Sequence, residues 1–93
     1  MPRYFLDLHN DMDVRDDEGV ELPNLNAALL HALHEARTMI QASIADTGRI
    51  DLRHHINLRD VTGEVLQVLY FEDAVTVQRG GEPLTRASGL HSV

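Results

Sequence analysis

Two hydrophobic periods divide the chain. Between Pro23 and Gly48, Leu25, Leu29, Ala32, Leu33, Ala36, Met39, Ile40, Ser43 and Ile44 recur at helical spacing. They form one continuous stripe of an amphipathic helix. His31, His34, Arg37, Thr38 and Gln41 fall on the opposite side. Asn24 or Asn26 is placed to accept from the free N–H groups of the first turn, and Gly48 to end the last one. Ala32 and Ala36 in mid-stripe predict close approach to a sheet, with Leu30 on the flank as a candidate partner contact.

On either side of this helix the period is two. Arg3 to His9 alternates Tyr4, Leu6 and Leu8 with Phe5, Asp7 and His9, which predicts a strand. Asn10 to Asp17 reads as an acidic loop turned by Gly19, and Val20 to Leu22 as a short second strand that Pro23 ends. After the helix, Ile50, Leu52, His54, Ile56 and Leu58 point one way, and Asp51, Arg53, His55, Asn57 and Arg59 the other. Asp60-Val61-Thr62-Gly63 is a hairpin connection. In Val65 to Phe71 strict alternation puts Leu66, Val68 and Tyr70 on one face and Val65, Gln67, Leu69 and Phe71 on the other. Beyond Gln78 periodicity is lost, so the expected organisation is one domain over residues 1–77 and a flexible tail over 78–93. The expected fold is α+β: an antiparallel sheet of three or four strands with one long helix packed on one face, in the order β-β-α-β-β.

Composition narrows the function classes. The 93 residues are 43% hydrophobic and include no cysteine, which excludes disulfides and thiolate metal sites and fits a reducing cytoplasm. The first residues do not read as a signal peptide, and no apolar run reaches the roughly 18 to 20 residues of a membrane span. Net charge is −7 and the eight basic residues are all arginine, a poor match to a phosphate backbone.

The order of motifs carries a resemblance. Met1-Pro2-Arg3-Tyr4-Phe5, then Asp17-Glu18-Gly19-Val20-Glu21-Leu22-Pro23-Asn24-Leu25, then Asp60-Val61-Thr62-Gly63, then Phe71-Glu72-Asp73-Ala74-Val75 resemble a family of short, mostly alphaproteobacterial domains of unknown function. The resemblance spans roughly residues 1 to 77 and implies a small domain without an assigned activity. Two strands followed by Leu22-Pro23-Asn24-Leu25 and an Ala-rich helix also look like the partner-binding half of HicB-like antitoxins. That looser similarity implies an antitoxin-like or RNA-associated regulator.

Candidate chemistry is sparse. His31, His34 and Glu35 lie within one helical turn and are candidates for a metal site, although their spacing is not that of His-Glu-x-x-His. Asp11 to Asp16 begins like a calcium loop, but Arg15 and Leu22 stand where oxygen ligands belong. Arg53, His55 and Arg59 share a strand face and are candidates for an anion contact. No nucleophile motif is present, and no cofactor is expected. The sheet face that the helix leaves bare would carry Phe5, Val65, Leu69 and Phe71, too apolar to leave in water. These observations point to a non-catalytic interaction module, forming a homodimer or binding another protein.

Overall fold

The computed structural model describes residues 1–85. β1 (Arg3–His9), β2 (Asp13–Val14) and β3 (Val20–Glu21) precede helix α1 (Leu25–Thr47). β4 (His55–Arg59), β5 (Val65–Tyr70), the short helix α2 (Phe71–Ala74) and a hairpin of β6 (Val77–Arg79) and β7 (Glu82–Thr85) follow. The main sheet runs β2-β1-β4-β5, with β3 also paired to β1, and every pairing is antiparallel. The α+β class and the single long helix are as the sequence predicts, and β1, β3, α1, β4 and β5 give the expected order β-β-α-β-β, with the two-residue β2 added between β1 and β3.

The helix termini are fixed by the residues the sequence singles out. Asn24 Oδ1 accepts from Ala27 N at 2.9 Å. Gly48 adopts φ 73° and returns its N–H to the Ile44 carbonyl. Between these caps the deepest residues are Ala28, Ala32, Ala36 and Ile40, four apart, the three alanines with no exposed surface. Methyl groups at the contact let the helix backbone lie close to the sheet. Longer side chains flank this seam. Ile40, Ile56, Phe71 and Ala74 form one core cluster with Ala36, and Tyr4, Leu58 and Ala28 form the other. Arg37 Nε donates to the Ala74 carbonyl at 2.8 Å and ties α2 to the helix.

Three local departures from strict alternation redirect side chains. The strand expected from Ile50 begins only at His55, because Asp51 Oδ1 accepts the Arg53 N–H at 2.9 Å and its carbonyl accepts the His54 N–H, which makes a turn. The β4–β5 register shifts between Leu58 and Arg59, so that Leu58 faces Gln67 and Arg59 faces Val65. This irregularity reverses parity inside β5: Leu66 and Leu69, three apart, both pack into the core. The chain then leaves the sheet at Phe71, whose N–H donates to the His54 carbonyl at 2.8 Å as α2 starts. A further difference is the β6–β7 hairpin, which Gly80 and Gly81 turn within the stretch expected to be a tail; residues 86–93 of that stretch lie outside those described.

Candidate functional site

The face of the sheet opposite α1 is built from alternate residues of three strands. β1 contributes Phe5, Asp7 and His9, which pair across the ladder with Arg59, Asn57 and His55 of β4. Tyr70 of β5 lies opposite His55. The result is a polar face with aromatic rings in it, divided into two parts.

The first part is sealed by the acidic loop. Arg59 Nε donates to Asp7 Oδ2 at 2.6 Å, its guanidinium lies 4.6 Å from the Phe5 ring centroid, and its Nη2 donates to the Asp16 carbonyl at 2.8 Å. Asp7 Oδ1 in turn accepts the Asp16 N–H at 2.8 Å. Asp16 closes the edge of β1. In the gap between β2 and β3, the Leu6 N–H meets Asp16 Oδ2 at 3.1 Å, while Asp16 Oδ1 accepts from Glu18 and Gly19. Gly19, at φ +71°, passes so close that a Cβ there would stand 2.8 Å from both Phe5 Cε2 and the Tyr4 carbonyl oxygen.

These contacts set the charge states. Burial pushes the Asp7 carboxyl upward, but the Arg59 hydrogen bond, the Asp16 N–H and the positive charges of Arg59 and Arg15 outweigh it and hold it below the usual carboxylate range. Burial acts the same way on Asp16, where the N–H groups of Gly19, Leu6 and Glu18 prevail and lower it. The Arg59 guanidinium is raised, chiefly by its hydrogen bond to Asp7.

The second part is a tier of rings. His9 and His55 stack with centroids 4.9 Å apart and planes 15° from parallel, and Tyr70 follows 5.0 Å beyond His55. His9 Nδ1 lies 3.0 Å from Asp13 Oδ1, and Asn57 Nδ2 lies 3.2 Å from His9 Nε2. Asn57 Oδ1 is buried and has no hydrogen-bond partner.

The residues singled out in the sequence do not assemble as expected. Of the proposed apolar face, Phe71 is a core residue of α2 and Leu69 packs on the helix side beside Ile56, because of the register shift and the turn into α2. Phe5 lies under Arg59, and only Val65 stands well exposed. The anion-contact set divides as well: Arg53 is paired with Asp51 at 3.2 Å in the turn before β4, Arg59 is consumed by Asp7, and His55 sits inside the ring tier. On α1, His31 and Glu35 border a small cavity with Leu6, Met39 and Ile56, while His34 faces solvent. Among the described residues no group of three His, Asp or Glu side chains is arranged to hold a metal ion. His54 takes no place in the sheet; its Nε2 lies 3.5 Å from Asp51 Oδ2 and its ring stands edge-on to Phe71.

Sequence reasoning passed over Asp7, His9, Asp16 and Asn57. For Asp7, His9 and Asn57 the signal was the shared parity of Asp7 and His9 with His55, Asn57 and Arg59, which antiparallel pairing of β1 with β4 converts into contacts; Asp16, in the loop, had none.

Comparison with known families matches residues 3–72, from the first residue of β1 to the first turn of α2, to a domain of unknown function, DUF6894. The chain belongs to the DUF6894 family. The matched span contains the whole main sheet, α1 and the loop that Asp16 anchors, so the DUF6894 domain includes the polar sheet face and excludes the β6–β7 hairpin. Neither comparison with curated proteins nor comparison with solved structures gives a match. Among the described residues no helix is long and apolar enough to cross a membrane.

Proposed function

We propose that this DUF6894 protein is a non-catalytic interaction module that self-associates as a cytoplasmic homodimer by pairing β5 with β5 of a second copy. The observation that carries this reading is the contrast between the two edges of the main sheet. On one edge, β1 is covered by two short strands, and the Asp16 carboxylate takes the Leu6 N–H between them. On the other edge β5 has β4 as its neighbour on one side and, among the described residues, no strand on the other. Its sequence, Val65-Leu66-Gln67-Val68-Leu69-Tyr70, contains no charge, glycine or proline. Charged residues and prolines are the usual means of keeping an edge from pairing, and β5 has none of them. Val65 and Tyr70, at its two ends, are 47% and 41% exposed.

Antiparallel pairing would bring Glu64, just before β5 in one copy, toward Glu72 and Asp73, just after β5 in the other. Association should therefore strengthen as salt screens these carboxylates. Light scattering on the full chain from about 1 to about 100 μM tests the proposal. A dimer is expected, and Val65→Glu with Tyr70→Glu, folded by circular dichroism, should be a monomer, since both positions are exposed at the β5 edge. A wild-type monomer throughout that range, or a dimer that survives the double substitution, overturns it.

A further inference from the structure

We propose that His9 and Asn57 form a proton-linked switch that governs the Asn10–Asp13 turn joining β1 to β2. The contacts around His9 define its neutral form. Its Nδ1 faces the Asp13 carboxylate at 3.0 Å, which only accepts, so Nδ1 carries the hydrogen. Its Nε2 faces the Asn57 Nδ2 group at 3.2 Å, which only donates, so Nε2 carries the lone pair. This tautomer satisfies both ring nitrogens and leaves Asn57 Oδ1 buried without a donor.

Proton uptake at His9 adds an N–H at Nε2 and places two donors against each other. A half-turn of the Asn57 amide removes the conflict. It exchanges Nδ2 for Oδ1 and gives the orphaned oxygen a charged donor. At the other nitrogen the His9–Asp13 hydrogen bond becomes an ion pair across β1 and β2. The intervening turn is otherwise held by its own contacts, the Met12 N–H on Asn10 Oδ1 at 2.9 Å and a longer backbone bond, and by Asp11 Oδ1, which lies 3.6 Å from Nε2 of His54. The protonated state therefore tightens a turn whose Met12 is largely exposed, as is Val14 just after it.

Other titratable and charged groups surround the His9 ring. His55 of β4 is stacked on His9 at 4.9 Å, and among the described residues its Nδ1 has the Arg53 carbonyl at 3.4 Å as its one partner. Asp13 of β2 faces His9 Nδ1 at 3.0 Å. Asp7 on β1 and Arg15 in the loop line the same small cavity as His9. Asp7 and Arg59 of β4 are committed to one another, which leaves Arg15 as the opposing charge, and Tyr70 of β5 covers the far side of His55.

Nitrogen-15 NMR of the full wild-type chain, titrated from about pH 8 to about pH 5, reads the switch directly. The neutral form should show the hydrogen on His9 Nδ1, and the Asn57 side-chain amide signals should move in step with the His9 ring. Protection of the Asn10–Asp13 amides, corrected for intrinsic exchange, should rise roughly three- to tenfold on acidification and stay level in His9→Gln. A neutral His9 protonated at Nε2, or Asn57 amide signals that stay still while His9 titrates, overturns the proposal; either result is obtained on the unmodified protein and does not depend on the variant folding.

Discussion

Arg59 and Asp7 form an ion pair, Nε to Oδ2 at 2.6 Å, on the side of the sheet away from the helix, and their side chains are only 9% and 12% exposed. Removing one partner leaves a covered charge without compensation. Arg59→Ala or Asp7→Ala should each destabilise the fold by about 3 kcal/mol in urea titration. Replacing both together, Asp7→Leu with Arg59→Met, should recover part of that loss. Additive losses in the double variant would show that the two side chains act separately.

The acid limb of the stability curve should report Asp7 and Asp16. Both carboxyls titrate below their ordinary value of 3.8 in the folded chain. A depressed folded value contributes stability that is fully present above the unfolded value and is lost as pH falls through the folded one. Urea midpoints should thus fall steeply below about pH 4. Asp16→Asn should be less stable at neutral pH and should show a shallower acid limb.

Substitution in the alanine seam should have a large effect. Ala32 has no exposed surface against the sheet, whereas Leu30, two residues earlier, is 61% exposed. Ala32→Leu should cost about 3 kcal/mol or displace the helix, as overpacked cores do. Leu30→Ala should remain within about 0.5 kcal/mol of wild type. Thermal denaturation of the two variants decides it; equal melting temperatures would mean that the seam is not tight.

Two glycines should separate backbone strain from collision. Gly48 and Gly19 have nearly the same φ, 73° and 71°, but a Cβ on Gly48 meets nothing within 4 Å while one on Gly19 meets Phe5, Tyr4 and Arg3 inside 3 Å. Gly48→Ala should cost about 1 kcal/mol, the left-handed penalty alone. Gly19→Ala should cost clearly more, because the chain must move off Phe5 and disturb the Asp16 hydrogen bonds. Chemical denaturation with matched slopes provides the comparison.

The parts of this fold that obey a single period were legible in the sequence. The extent of α1 follows from its stripe, Asn24 and Gly48, although Leu25 and Ile44 of that stripe are exposed and Ala28, outside it, is fully buried; the inward positions of β1 follow from alternation of Tyr4, Leu6 and Leu8. Alternation failed wherever a hydrogen bond changed the count. The shift at Leu58/Arg59 carries Leu69 to the core, and the turn into α2 does the same for Phe71. Side-chain acceptors were equally hidden. Asp16 reads as one carboxylate among several in a solvated loop, and nothing near it in sequence announces that Leu6 N–H lacks a partner. The His9–His55 stack joins residues 46 positions apart and required the register of β1 on β4 to be known.

The plug at Leu6 has a consequence for stoichiometry. A sheet that is open on both sides can add neighbours without limit and grow into a fibre. Here the Asp16 carboxylate occupies the backbone group that a newcomer would need on the β1 side. Under the proposed β5–β5 pairing, strand addition to the main sheet would use the β5 edge, which among the described residues has no second neighbouring strand, and a twofold contact there would stop assembly at a pair.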